Sequence, residues 1–240
     1  MILYNVYLKE VSFRLPFYSL TSGVILESPD SIGNDRKRTV CISGHREKSI
    51  IPYQNNYACY DITVQTVRCL LERYLDLAYL NGYDTFISGL AVGADLWGAE
   101  YIADCRKNGK SMSLIGVMPY LHHSDKFPKE YADLLYKVEK EADKLILMSS
   151  NPDIKYCYSP TNKNESRTLY RDRNYFMVDH SSAVIAFLND GNYYSGTSQT
   201  VNYAVRKNLN ICRFGIDTVY SLIDRYKNID KIKNAVQNIV

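Results

Sequence analysis

Residues 84–105 read Asp84-Thr-Phe-Ile-Ser-Gly-Leu-Ala-Val-Gly-Ala-Asp-Leu-Trp-Gly-Ala-Glu-Tyr-Ile-Ala-Asp-Cys105. A short buried strand (85–88) runs into a turn containing Gly89 and Gly93, and a helix starts near Ala94. A helix that opens this way leaves its first amide N–H groups unpaired and directed at one spot, where the helix dipole also favours an anion. Gly89 and Gly93 would let backbone approach a phosphate with no Cβ in the way. Gly98, one turn further on, weakens a helix and implies close packing against a sheet.

The pattern repeats outward from this stretch. Residues 39–43, Thr-Val-Cys-Ile-Ser, form a short apolar run ending in Gly44-His45-Arg46. Val64, Val67, Leu71, Leu75 and Ala78 recur at the spacing of a core-facing helix, which Asn81-Gly82 ends. Further strands are expected at 113–117, 144–148, 183–188 and 210–214, with helices at 127–142 (Pro128 in the first turn), at 166–179, from a cap at Thr197, and from 217. Strand–helix alternation of this length predicts an α/β fold with a Rossmann-like parallel sheet of about six strands and helices on both faces. Residues 1–28 alternate loosely and predict an N-terminal β extension, with a hairpin near Thr21-Ser22-Gly23. Residues 29–38 read as a polar linker, so the division is 1–38 for the extension and linker and 39–240 for the main domain.

Composition narrows the function. The chain has 240 residues, 46% of them hydrophobic, and a net charge of +3 with no run of five like charges. That balance makes nucleic acid a weak candidate, and Asp35-Arg36-Lys37-Arg38 reads as a solvated linker. Six scattered cysteines without zinc spacing point to a reduced cytoplasm rather than a disulfide framework. Lys9, Glu10 and Arg14 interrupt any signal-peptide core, and no apolar stretch is long enough to cross a bilayer. His122-His123 lacks carboxylate or cysteine partners at ligand spacing, so no metal and no cofactor are expected. A homo-oligomer is left open.

In open parallel sheets, ligands sit outside the carboxyl ends of the strands at the topological switch point. The turns gathered there are 43–46, 88–95, 118–123, 149 onward, and 189–197. The expected cradle takes Ser43, Gly44, His45 and Arg46 from the first turn, and Ser88, Gly89, Gly93, Ala94 and Asp95 from the second. Arg173 and Asn174 join it from a helix, and Gly196 and Thr197 from the last turn. Arg46 suits a bidentate grip on phosphate. Asp95 either complements the helix dipole or meets a ribose hydroxyl. Glu100 is either paired with an arginine or poised above the pocket.

Read together, Cys41-Ile-Ser-Gly-His-Arg46, the glycine stretch from Ile87 to Glu100, Arg173-Asn-Tyr-Phe-Met-Val-Asp-His180, Ser195-Gly-Thr and Thr200-Val-Asn-Tyr-Ala204 resemble the SLOG superfamily, in its YpsA-like branch. The similarity covers about residues 39–214. It implies a Rossmann-like domain binding a phosphorylated nucleotide or nucleotide-derived ligand, ADP-ribose-type signals among them. The superfamily also holds the Lonely Guy phosphoribohydrolases and the DNA-processing A proteins, which implies two alternatives, N-glycoside hydrolysis of nucleotides and single-stranded nucleic-acid binding. The hydrolases carry Pro-Gly-Gly-x-Gly-Thr-x-x-Glu with a catalytic Glu, where this chain has Ser195-Gly196-Thr197-Ser198-Gln199-Thr200. A hydroxyl at Thr200 cannot steady an oxocarbenium-like centre. Any hydrolysis would fall to Asp95 or Glu100.

Overall fold

A computed structural model describes residues 16–46, 50, 57–155, 165–189 and 195–239. Two short strands, β1 (Phe17–Tyr18) and β2 (Ile25–Leu26), come first. They are followed by β3 (Thr39–Gly44), α1 (Tyr57–Leu80), β4 (Thr85–Ser88), α2 (Ala94–Lys107), β5 (Ser113–Met118), α3 (Lys129–Glu141) and β6 (Lys144–Leu147). After these come α4 (Glu165–Asp179), β7 (Ala183–Phe187), α5 (Gly196–Arg206), β8 (Asn210–Phe214), α6 (Ile216–Tyr226) and α7 (Ile229–Gln237).

The six strands from β3 onward form one parallel sheet in the order β6-β5-β4-β3-β7-β8. Their side chains alternate between two cores. Val40, Ile42, Phe86 and Leu114 face α1, α2 and α3, with Val219 of α6 and Ile232 of α7 closing that layer. Cys41, Ile87, Ile115 and Val184 face Met177 and Val178 of α4 and Val201 and Ala204 of α5. From β3 to β7 both faces are therefore dry, which is why those strands read as apolar runs rather than as alternating ones, while edge strand β8 keeps Asn210 and Arg213 exposed. Gly98 packs as its helix-weakening cost implied. A Cβ there would stand 3.0 Å from Ile42 Cδ1, so its absence lets α2 lie close on β3.

From β3 the chain steps outward through β4, β5 and β6, then returns through α4 to the other side of β3. The direction of winding thus reverses between β3 and β7. Two neighbouring strand ends diverge there, and a crevice opens between the turns that follow them.

The expected hairpin is present: β1 and β2 pair antiparallel through Phe17↔Leu26 and Tyr18↔Ile25, and Gly23 takes a positive φ of 70° in the turn. The chain after β2 lies along the outer edge of β6. Glu27 donates its N–H to Leu145 O (2.8 Å) and accepts from Leu147 N–H (2.9 Å), covering an edge that would otherwise invite pairing with another chain. The polar linker forms two 3-10 turns, Pro29–Ser31 and Arg36–Arg38. Two of its three cations are engaged: Arg36 Nε donates to Ser181 O (3.0 Å) and Arg38 pairs with Asp84 (2.6 Å). Residues 1–15, which carry most of the expected alternation, lie outside the described residues, as do 156–164 and 190–194 of the expected binding loops.

Two expected helix starts need correction. Pro128 stands at the cap position before α3, not inside its first turn. Thr197 is not the cap of α5. Ser195 is, its Oγ accepting the Ser198 N–H at 3.0 Å, because a capping side chain must precede the first helical residue. Among the described residues no helix is long and apolar enough to cross a membrane.

Candidate functional site

A cavity of about 290 Å³ opens at the β3–β7 switch point. Ser43, Gly44, His45 and Arg46 line it from the end of β3, and Ala91 and Asp95 from the glycine turn and α2. Tyr170, Arg173 and Asn174 of α4 close a second side, and Ser195, Gly196 and Thr197 at the start of α5 close the third. Ser88, Gly89, Gly93, Ala94 and Glu100 are not on its wall.

The first turn owes its shape to contacts with α2. A Cβ on Gly44 would overlap Ala94 Cβ and stand 3.3 Å from Phe187 Cβ, so only glycine lets β3, β7 and α2 meet at this point. His45 donates its N–H to Phe187 O (3.2 Å), and its carbonyl accepts the Ala94 N–H (3.4 Å). The first amide of α2 is thereby consumed inside the fold rather than offered to an anion. The His45 ring is buried, which lowers its pKa and favours the neutral imidazole even though it bonds the backbone of Asn189. Its Nε2 has no partner among the described residues. Arg46 is exposed at the rim and makes no ion pair among the described residues.

The glycine stretch serves a side chain instead of a phosphate. Arg173 Nη1 donates to Gly89 O, and any Cβ at Gly89 would overlap the guanidinium while standing 2.8 Å from Asp95 Oδ2. Leu90 (φ 54°) and Gly93 (φ 100°) bend the turn around this arginine. Ser88 Oγ secures the bend by donating to Asp95 O (2.8 Å) and accepting from Leu90 N–H (3.2 Å). These residues build the floor from behind.

Asp95 and Arg173 are the buried charged pair of the site, with side chains 7% and 5% exposed. Asp95 Oδ1 accepts the Gly44 N–H at 3.0 Å, while Oδ2 lies 3.7 Å from Arg173 Nη1, too far for a good direct hydrogen bond. Burial therefore outweighs the arginine and pushes the Asp95 carboxyl up to about 6. Burial also lowers the Arg173 pKa. The guanidinium carbon lies 5.8 Å from the Tyr170 ring centroid, and Tyr170 shares a hydroxyl–hydroxyl bond of 3.2 Å with Tyr120. Arg173 Nε is buried without a partner among the described residues.

The start of α5 is different. With Ser195 as the cap, the amides of Gly196 and Thr197 have no helical acceptor and lie at the positive end of the helix dipole. Thr200 Oγ1 turns back to donate to Gly196 O (2.9 Å) and is buried within α5. Glu100 is corrected as a pocket carboxylate: it pairs with Arg68 (2.8 Å) and Lys137 (3.1 Å), bridging α1 and α3. His122 bonds Asp125 (3.0 Å), whereas His123 is buried edge-on against Phe127, so the two adjacent rings have different surroundings. Asp179 accepts from the Tyr203 hydroxyl (3.0 Å), and His180 Nδ1 lies 2.8 Å from Phe176 O at the end of α4.

Sequence reasoning missed Ala91, Tyr170 and Ser195. Tyr170 had a readable signal, since it precedes Arg173 by three residues and so shares its helix face. Ser195 directly precedes the predicted Gly196 and is a preferred capping residue type.

The model of the YspA SLOG family matches residues 40–221, from β3 into α6, and the chain belongs to that family. No curated protein matches the chain.

Proposed function

We propose that the switch-point cavity binds a phosphorylated nucleotide or nucleotide-derived ligand, with ADP-ribose-type signals in the candidate class. The observation that carries this reading is the meeting of two amides unpaired among the described residues, at Gly196 and Thr197, with Arg46 and Arg173 on one concave surface. Free amides at a helix start and arginine forks are the groups that recognise phosphate. Ser43, His45 and Asn174 supply the neutral hydrogen-bonding groups that would orient the rest of the ligand. Ser88, Gly89, Gly93 and Ala94 hold Arg173 and Asp95 in place. Membership of the SLOG family supports a nucleotide-type ligand. The binding unit is assigned to residues 39–240, with 1–38 as an extension.

Arg46 is the exposed arginine of the group, so its removal tests binding with little effect on the core. Arg46→Ala is expected to weaken nucleotide binding by about 1.5–3 kcal/mol, the range of a charge-assisted contact. Isothermal titration giving equal affinities for variant and wild type would remove Arg46 from the site.

A second reading, N-glycoside hydrolysis, draws on one observation: Asp95 is a carboxylate on the cavity wall with its pKa pushed up to about 6. Binding without turnover is preferred, because position 200 offers only a hydroxyl already bonded to Gly196 O. Prolonged incubation with AMP is expected to release no base above the protein-free control. Rapid release, lost in Asp95→Asn, would establish the hydrolase. Single-stranded nucleic acid is the weakest reading, since the linker cations Arg36 and Arg38 are held within the fold.

A further inference from the structure

The cavity wall contains one group that does not belong in an anion site. Arg46, Arg173 and the Gly196 and Thr197 amides all favour negative charge, yet Asp95 lies among them. A sphere of 290 Å³ is about 8 Å across, so an anion anywhere inside feels that carboxylate at less than a Debye length and with little screening. An ionised Asp95 would repel the ligand for which the rest of the wall is built.

Its surroundings make it unlike a simple ion-pair partner. One oxygen is occupied by the Gly44 N–H, and the other stands 3.7 Å from Arg173 without a good hydrogen bond. Arg173 spends Nη1 on the Gly89 carbonyl and keeps a buried Nε without a partner among the described residues. The carboxyl also accepts a backbone bond from Ala91, but with no good bond to Arg173 it keeps lone pairs that can share a hydrogen bond with a ligand.

We propose that Asp95 determines which anion the cavity accepts: it shares one proton with the ligand, so the site selects a phosphate monoester over a sulfate or a phosphodiester. This inference rests on the anion-binding reading above and narrows it to ligands with a terminal phosphate monoester, which sets ADP-ribose itself, a pyrophosphate diester, below nucleoside monophosphates. A monoester has a second ionisation near neutrality and can hold the shared proton, either on its own oxygen or on the carboxyl. Sulfates and phosphodiesters carry no proton in this range and would face Asp95 with two full charges opposed. The charged and titratable groups acting on Asp95 are Arg46 just past β3, the Cys41 thiol of β3 and Arg173 of α4, and His45 and Tyr170 share its cavity wall. His123 lies behind Arg173. Burial keeps His45 and His123 neutral near pH 7, and raises Asp95 toward the value at which a proton can be shared.

The test is isothermal titration of the full chain with inorganic phosphate, sulfate, methyl phosphate and dimethyl phosphate. Phosphate and methyl phosphate are expected to bind at least about tenfold more tightly than sulfate and dimethyl phosphate. Asp95→Asn keeps an oxygen for the Gly44 N–H and turns an amide donor to the cavity, so its preference should shrink toward unity through a gain in sulfate affinity. Repeating the methyl phosphate titration at pH 7.5 in two buffers of different ionisation enthalpy should reveal proton uptake. The uptake should vanish in Asp95→Asn. Equal binding of all four anions by wild type, or methyl phosphate binding without proton uptake, overturns the proton-sharing role and leaves the anion site standing. Failure of wild type to bind any of the four overturns the anion site itself, and this inference with it.

Discussion

Arg173→Met is expected to destabilise the protein by about 3–5 kcal/mol at pH 8, the cost of leaving one member of a buried ion pair alone. At pH 5 the loss should fall to about 1–3 kcal/mol, since Asp95 is then largely protonated and mainly the bond to the Gly89 carbonyl is missing. The pH trend follows from the direction of the shift. Burial raises Asp95 from 3.8 to about 6, so over that interval the folded chain holds a proton that the unfolded chain has released. That contribution to stability is complete below 3.8 and is lost as pH climbs through about 6, an effect on the order of 3 kcal/mol. Removing Arg173 raises the folded value further and steepens the decline. Urea unfolding of variant and wild type at both pH values measures this, and an equal loss at pH 5 and pH 8 would show that the two side chains are not coupled. Because Arg173 also lines the cavity, the variant should lose ligand binding at both pH values.

Gly44→Ala is expected to be the most disruptive small substitution, at about 2–4 kcal/mol. Overpacking by one methyl commonly costs about 1–3 kcal/mol where neighbours can shift. Here the new methyl would overlap Ala94 Cβ at the start of α2 and press on Phe187 Cβ, 3.3 Å away at the end of β7. Both contacts are with Cβ atoms, which move only with the backbone of their own elements, so relief requires moving backbone. Such movement would also break the Gly44 N–H···Asp95 bond of 3.0 Å. Thermal unfolding tests the magnitude. A midpoint within a degree or two of wild type would mean that the β3–α2 junction is looser than the structure describes.

These two residues also mark how far the chain could be read in advance. The main strands were legible because strands buried on both faces must be short, apolar and bounded by turns, and 85–88 matches β4 end to end. The gathering of Gly44, Arg46, Asp95, Arg173 and Gly196 at one place was legible from the rule that turns after parallel strands share an edge. The partner of each glycine was not. Gly89 reads as a phosphate seat from its own neighbours, but its space is filled by Arg173, 84 residues further along. Nothing local encodes that contact. Glu100 could have been set aside earlier. It follows Asp95 by five residues, which at 3.6 residues per turn rotates it about 140° around α2, away from the side Asp95 presents to the cavity. The pair it makes with Arg68 and Lys137 is the result. The cap at Ser195 was obscured by Thr197, an equally suitable residue type two positions later.

The most direct test of the binding site is a backbone-amide NMR titration of the full chain with AMP, ADP-ribose and inorganic phosphate. A second concavity, beneath α1 and lined by Tyr74, Tyr83 and Cys212, provides an internal comparison. Phosphate at the switch point should move the amides of Gly196 and Thr197 most, with Ser43–Arg46 and Arg173–Asn174 responding to a nucleotide, while Tyr74, Tyr83 and Cys212 stay still. Shifts confined to the α1 concavity, or no shifts with any of the three compounds at millimolar concentration, would contradict the assignment of the cavity as a phosphate-binding nucleotide site.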